Sequence, residues 1–481
     1  MQETESRLPA DFVLTKELEN AFTLAENTGQ SFFITGKAGT GKSTFIEYFR
    51  GNSKKNAVYL APTGVAALNI RGKTIHSLFQ FPPRIISKDE IKGTKYNKNI
   101  LRLFAGLDAM IIDEISMARA DIIDGIDFIL KKTRHNENPF GGVQMIFVGD
   151  LYQLPPVISG REKVTVTFNG ELFYKGTLQG YFEKVYRGQY FFNSKAFRNA
   201  LFKYLEFANI FRQKGDMEFI NILNAIRENT AGAGILKKLN ARYIPTGGAN
   251  NGGAKGGPED SPAEESSTKN KKPVVTLCTT NAKAREINDT RLAGLDSMMY
   301  IYAAEISGEF ETSYTDAELP ADKKLYLKVK SQVMMIKNDR DKRWVNGSMG
   351  IVKSLKPKEI VINIEDADYT VEKETWETIE YEFNSETKSV NTRVTGTFRQ
   401  YPLRLAWAIT IHKSQGKTFD NVIIDLERGA FAHGQTYVAL SRCRSLNGIV
   451  LSRPVTGQDI ILDPRVAEFF KSITPPEFTQ S

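Results

Sequence analysis

The chain has 481 residues, 41% hydrophobic and 25% charged, with a formal net charge of +8 at neutral pH. That length exceeds one ordinary domain, and the balance is that of a folded globular protein rather than a disordered or fibrous one. With no run of about 18 apolar residues, 2 cysteines and 4 histidines, the sequence speaks against a transmembrane helix, a disulfide framework and a Cys/His zinc site.

The first seven residues carry two acids and no apolar core, unlike a secretion or transit signal, so a cytosolic location is expected. Residues 31–35 form a short apolar run that predicts a buried strand, followed by a Gly-rich turn and a helix from 42 to 49. Residues 57–60, 109–112 and 145–148 predict three more strands. Short apolar runs alternating with helical patterns indicate an α/β fold, with a parallel sheet covered on both faces. Residues 81–98 are basic and carry Pro82-Pro83, which predicts a small protruding insertion at about 77–100. The first domain is placed at 1–190.

A second α/β domain is expected from residue 191. Within 217–229, Phe219, Ile220, Ile222, Leu223 and Ile226 fall along one helical face. Residues 246–272 are rich in Gly, Ser, Asn and Lys and predict a mobile surface loop. A strand pattern returns at 274–277. From 301 to 395 the pattern is short strands with turns: residues 360–362, the Asn346-Gly347 turn signal, and the partly alternating Trp376, Ile379, Tyr381 and Phe383. This predicts a β insertion. Residues 403–411 and 422–424 resume the α/β pattern, so the second domain is read as 191–300 plus 396–481.

Gly36-Lys37-Ala38-Gly39-Thr40-Gly41-Lys42-Ser43 follows the first predicted strand and opens a helix. Glycines let the backbone curl around a phosphate with its N–H groups inward; Lys42 reaches the terminal phosphates, and the Ser43 hydroxyl suits Mg2+. Gly36, Gly39, Thr40, Gly41, Lys42, Ser43 and Thr44 are the candidate nucleotide-binding set. Asp113-Glu114 ends the third strand; Asp113 can join Ser43 on the magnesium, and Glu114 can polarise the attacking water. The positive net charge suits a polyanionic partner.

In order along the chain, these motifs resemble those of superfamily-one helicases of the 5′-to-3′ branch, most closely the petite-integration-frequency (Pif-type) DNA helicases. The phosphate loop and Asp113-Glu114-Ile115-Ser116-Met117 resemble the first and second motifs. Between them, Ala61-Pro62-Thr63-Gly64-Val65-Ala66-Ala67 resembles the strand-contacting motif, followed by Gly72-Lys73-Thr74-Ile75-His76-Ser77. Gly149-Asp150-Leu151-Tyr152-Gln153-Leu154-Pro155-Pro156 resembles the third and Ile210-Phe211-Arg212-Gln213 the fourth. Thr410-Ile411-His412-Lys413-Ser414-Gln415-Gly416-Lys417-Thr418 resembles the fifth, and Tyr437-Val438-Ala439-Leu440-Ser441-Arg442-Cys443-Arg444 the sixth.

The resemblance implies two RecA-like domains, with a wedge at 77–100 and an SH3-like β-barrel at 301–395. It implies Arg212 and Arg442 as arginine fingers, Gln153 as a γ-phosphate sensor, and Gly416 as a further nucleotide-binding residue. Thr63, Gly64, His76, Thr410, His412 and Lys413 are implied to grip a single strand. Arg340, Lys342 and Arg343 beside Trp344 suit strand binding, or equally a solvated hairpin with one packed tryptophan. The implied activity is ATP- and Mg2+-dependent 5′-to-3′ translocation on single-stranded DNA by a monomer. Duplexes, forks, RNA–DNA hybrids and G-quadruplexes are the implied substrates, in a nucleoid-associated, bacterial setting of repair, recombination or telomere-like maintenance. No membrane partner is implied. The alternative is a nucleotide-gated single-strand clamp or translocase without intrinsic unwinding. One departure stands out: Leu14-Thr15-Lys16-Glu17-Leu18-Glu19 resembles the adenine-recognition segment, with Leu18 where glutamine is usual, which predicts adenine selectivity that is either weak or supplied by backbone.

Overall fold

The computed structural model describes residues 12–82, 84–85, 91, 96–158, 163–168, 171–209, 216–245, 273–314, 316, 319–341, 343–384 and 389–473. Arg212 and the rest of its motif, the 246–272 stretch, Lys342, Pro83 and most of 86–95 lie outside the described residues.

The first domain contains strands β1 (Phe32–Gly36), β2 (Ala57–Ala61), β3 (Lys73–Thr74), β4 (Ala109–Ile112) and β5 (Gln144–Val148). A hairpin of β6 (Lys163–Phe168) and β7 (Glu171–Thr177) follows, then β8 (Lys203–Phe207). The main sheet has the order β3-β2-β4-β5-β1-β8, with every pair parallel. Successive side chains point to opposite faces, so two cores form. Phe33, Met110, Ile112, Met145 and Phe147 pack on one side; Phe32, Ile34, Ala109, Ile111, Ile146 and Val148 pack on the other. Coverage of both faces is why these strands read as continuous apolar runs.

Two boundaries differ from the sequence reading. β8 pairs with β1 over Phe32↔Lys203 to Gly36↔Phe207, so the first domain continues past residue 190. As an edge strand β8 leaves Lys203 and Glu206 in water, and Lys-Tyr-Leu-Glu-Phe lacks the apolar run of a central strand. The C-terminal helix Pro464–Ser472 also returns to this domain: Val466 joins its core, and the Phe469 ring stacks on Phe192 at 4.4 Å.

The first strand of the second domain is β9 (Val275–Cys278). The insertion then supplies β10 (Tyr300–Ala303), β11 (Glu305–Gly308), β12 (Lys324–Leu327), β13 (Gln332–Met335), β14 (Met349–Lys356), β15 (Glu359–Ile364), β16 (Ala367–Val371), β17 (Glu374–Asn384), β18 (Ser389–Gln400) and β19 (Leu403–Leu405). Its larger sheet is antiparallel, in the order β16-β15-β14-β13-β19, and β19 carries the insertion to Leu405 rather than 395. A bulge between Thr378 and Ile379 shifts the alternation of β17, so Trp376 and Tyr381 are both buried despite their odd spacing. The Tyr381 hydroxyl accepts from Tyr59 N–H at 3.1 Å and donates to Tyr59 O at 3.2 Å, bracing the β17–β18 hairpin against β2. Trp344 is packed, with the Arg343 guanidinium 4.6 Å from its ring centre and ion-paired to Asp339 at 2.7 Å, while Arg340 projects into solvent.

After the insertion, β20 (Ala408–Thr410), β21 (Val422–Asp425) and β22 (Ile449–Leu451) join β9 in a parallel sheet, β20-β9-β21-β22. Helix Met217–Arg227 packs Phe219, Ile222, Leu223 and Ile226 into its core. Among the described residues, no helix is long and apolar enough to cross a membrane.

Candidate nucleotide and nucleic-acid site

β4, β5 and β1 are neighbours and run parallel, so the turns that follow them leave from one edge of the sheet. In open α/β sheets ligands bind at that carboxyl edge. Here it carries the phosphate loop, Asp113-Glu114 and the segment from Gly149 to Gln153.

A cavity of about 640 Å³ opens there between the two domains. The first domain contributes Gly39, Thr40, Gly41, Lys42, Ser43, Thr44, Glu114 and Gln153; the second contributes Gly416, Thr418, Arg442 and Arg444. Phe12, Val13, Leu18 and Phe207 add an apolar wall. Gly36 lies outside the lining but shapes the loop: its φ is +145°, and a Cβ there would sit 2.5 Å from the Phe207 carbonyl oxygen. Gly41, at φ 89°, precedes helix Lys42–Asn52 without a side-chain cap, which leaves the first N–H groups of the helix for an anion.

Lys42 Nζ donates to the Gly36 and Lys37 carbonyls at 2.7 and 2.9 Å, folded over its own loop. Burial pushes its ammonium below the usual lysine range, against the attraction of Asp150 and Glu114. Asp113 is buried, and burial together with the neighbouring Glu114 pushes its carboxyl up to about 7. Burial raises Glu114 as well, with Lys42 and Arg442 opposing. Glu114 takes a left-handed φ of 48°, a cost for a non-glycine residue. The Asp113 carboxylate and the Ser43 hydroxyl are hard oxygen donors of the kind that fits Mg2+ bound jointly with phosphates.

Arg442 reaches this cavity from the second domain with 1% of its surface exposed. Its Nε donates to Val438 O at 2.9 Å and its Nη2 to Ser441 Oγ at 2.7 Å, which fixes the guanidinium. Gln153 is 7% exposed and donates Nε2–H to Asp150 Oδ2 at 3.3 Å. Gly416 lines the cavity with φ +74°.

The residues expected to hold a strand sit in two sets, one in each domain. Thr63 and Gly64 follow β2, with Thr63 Oγ1 accepting from Ala66 N–H at 3.3 Å to cap helix Gly64–Asn69. His76, in helix Ile75–Phe79 after β3, is half-buried. Thr410 ends β20, is buried, and accepts from Lys413 N–H at 3.3 Å. His412 is half-buried, and burial lowers its pKa; Lys413 is exposed.

Several site residues escape the sequence reading. The Ala38 N–H of the phosphate loop donates to the Tyr437 hydroxyl at 3.3 Å, across the domain boundary. Tyr437 opens the sixth motif, so its place in a motif was the available signal. Asp150 and Arg227 pair across the same boundary at 3.4 Å, and nothing in the sequence around Arg227 marks it. At Gly434, φ is +70° and a Cβ would lie 2.3 Å from the Tyr152 carbonyl oxygen, so the two domains touch on bare backbone.

Next to that contact, buried His433 accepts from Asp463 N–H on Nδ1 at 3.0 Å and donates from Nε2 to Leu151 O at 2.8 Å. Only the neutral ring satisfies both bonds. Burial lowers its pKa, with Asp463 and Asp150 opposing. The unfolded chain takes a proton at about 6.5 and the folded site at lower pH, so stability present above that value falls below it. Thermal melts from about pH 7 to 5.5 should therefore slope more steeply for the wild type than for His433→Gln. Equal slopes would refute this role.

Two parallel α/β domains that close on a phosphate loop, with a buried arginine supplied by the second, define a nucleotide-binding protein with RecA-like architecture. The chain belongs to the PIF1-like helicase family, whose family model matches residues 13–178. It is similar over 96% of its length to the ATP-dependent DNA helicase PIF1 of Danio rerio, at 31% identity. It spans 59–65% of the length of the vertebrate relatives it matches. The crystal structure of Bacteroides sp Pif1 with ADP-AlF4 is similar at TM-score 0.80 and 35% identity, covering 96% of this chain and 97% of that one. The Bacteroides Pif1 structure bound to ssDNA is similar at TM-score 0.64 and 34% identity over the same shares.

Proposed function

We propose that the protein is an ATP-dependent DNA helicase that translocates 5′ to 3′ on single-stranded DNA and opens duplexes and forks, acting as a monomer. The observation that carries this reading is the cavity between the domains, with Lys42, Ser43 and Glu114 on one wall and buried Arg442 on the other. Such a site senses nucleotide and domain closure together.

The phosphate loop and the start of the Lys42 helix bind the phosphates, and Lys42 swings from its carbonyl partners onto the terminal oxygens. Ser43 and Asp113 would hold Mg2+, which when bound neutralises phosphate charge. Glu114 accepts a proton from the attacking water, Gln153 orients that water, and Arg442 offsets charge on the transferring phosphoryl group, with Arg212 as its partner finger. Loss of the γ-phosphate removes the anion that Arg442 was drawn to, and the domains part. Thr63, Gly64 and His76 grip the strand from the first domain and Thr410, His412 and Lys413 from the second, through hydroxyl, backbone and cationic groups suited to phosphate oxygens. If one set tightens as the other loosens, each cycle moves the protein along the strand.

The 77–100 segment is read as a wedge and the β insertion as an SH3-like module beside the strand. Kinship with Pif1 proteins supports G-quadruplexes and RNA–DNA hybrids as further substrates. Leu18, buried on the apolar wall of the cavity, supports loose base selection.

The test is ATP-dependent unwinding of matched duplexes bearing a 5′ or a 3′ single-stranded tail. Opening from the 5′ tail alone is expected. Opening from the 3′ tail alone would overturn the polarity. DNA-stimulated ATPase with no opening from either tail would favour the strand-clamping alternative.

A further inference from the structure

Arg227 ends helix Met217–Arg227, whose apolar face belongs to the second-domain core, yet its side chain crosses to the first domain. It is 7% exposed, and the carboxylate it meets, Asp150, is 1% exposed. The guanidinium lies 3.4 Å from Asp150 Oδ1 and 3.9 Å from the centre of the Tyr152 ring. Its Nε has no hydrogen-bond partner among the described residues, so this buried cation is under-satisfied. Asp150 is fully engaged: Oδ1 also accepts from Tyr152 N–H at 3.1 Å, and Oδ2 accepts from Gln153 Nε2 at 3.3 Å.

We propose that Arg227 is a positioning residue: through Asp150 it orients Gln153 toward the nucleotide, and it makes that orientation depend on closure of the domains. With one N–H of its amide given to Asp150, Gln153 keeps Oε1 and its other N–H for the cavity it lines. Arg227 supplies the counter-charge that crosses the domain boundary to the buried Asp150 carboxylate. When the domains part, Arg227 leaves with its helix, because Phe219, Ile222, Leu223 and Ile226 anchor it to the second core. Asp150 then loses its cationic partner and draws Lys42, on which it is the largest attraction, toward itself. Gln153 then hangs on a carboxylate that Arg227 no longer braces. ATP turnover is thereby confined to the closed state.

The inference rests on the ATPase reading above. The test compares steady-state ATPase with single-stranded DNA for the full chain, Arg227→Met, Arg227→Lys and the double variant Arg227→Met/Asp150→Asn. Methionine keeps the packing on Tyr152 without charge, and lysine keeps the charge. Arg227→Met should lower kcat at least about tenfold with KM moved less than about threefold, and Arg227→Lys should stay within about threefold of wild type. The double variant should exceed Arg227→Met alone, because it removes the unpaired carboxylate as well. Melting temperatures separate this from unfolding. If Arg227→Met melts low, recovery of both melting and kcat in the double variant still supports the proposal, and recovery of melting alone overturns it. Wild-type kcat in Arg227→Met, or Arg227→Lys as impaired as Arg227→Met, also overturns it. A wild-type chain without ATPase would overturn the function reading itself, a result distinct from any of these.

Discussion

Arg442→Ala is expected to cut DNA-stimulated ATP turnover by about 10³-fold or more while leaving nucleotide affinity within about tenfold. The asymmetry follows from where the guanidinium sits. Val438 O and Ser441 Oγ hold it on the second domain, and it meets the nucleotide only where that domain closes on the first. Its stabilisation is therefore greatest when charge moves on the phosphoryl group, so the loss falls on kcat. Arg442→Lys should recover little, because a lysine cannot make both anchoring bonds and also present a planar fork. Steady-state kinetics with DNA, beside equilibrium binding of a non-hydrolysable analogue, measure both quantities. Turnover within tenfold of wild type would remove Arg442 from the catalytic set.

Lys42→Ala is expected to abolish unwinding and to lower turnover by about 10²- to 10³-fold with little loss of stability. Burial already holds the Lys42 ammonium below the usual lysine range. At neutral pH its charge therefore costs the empty fold something, and that cost is recovered when phosphate arrives. Deleting it forfeits the ligand contact and relieves the desolvation, while Asp150 keeps Arg227 as a counter-charge. The melting temperature should move by only a few degrees, and the added stability conferred by ATP should shrink. A large fall in melting temperature without nucleotide would show that Lys42 serves the fold rather than the phosphate.

These expectations concern groups whose visibility in the sequence differed. Lys42, Ser43, Asp113 and Glu114 were readable because each lies within a few residues of a buried strand's end, in a turn or the helix start that follows it, where local backbone does the work. Asp150 was in view as part of a motif, but its buried role was not, since its carboxylate is defined by an arginine 77 residues away. Tyr437 and Ala38, joined across 399 residues, are the same case. The fold divides along similar lines. Wherever side chains alternate between two covered faces, as in β1, β4 and β5, burial writes an apolar run into the sequence. β8 escaped because an edge strand tolerates exposed Lys203 and Glu206 amid its apolar residues. The bulge at Thr378/Ile379 hid the true face of β17 by displacing the alternation one residue.

By itself the sequence determined the α/β class, the phosphate loop and the order of motifs, because these depend on periodicity and on contiguous backbone. The tertiary structure alone decided that the chain's end returns to the first domain, that the first sheet runs to Phe207, and that Arg227 and Tyr437 cross between domains. Those contacts join residues far apart along the chain, and their energies come from burial and charge pairing that exist only once both domains are in place.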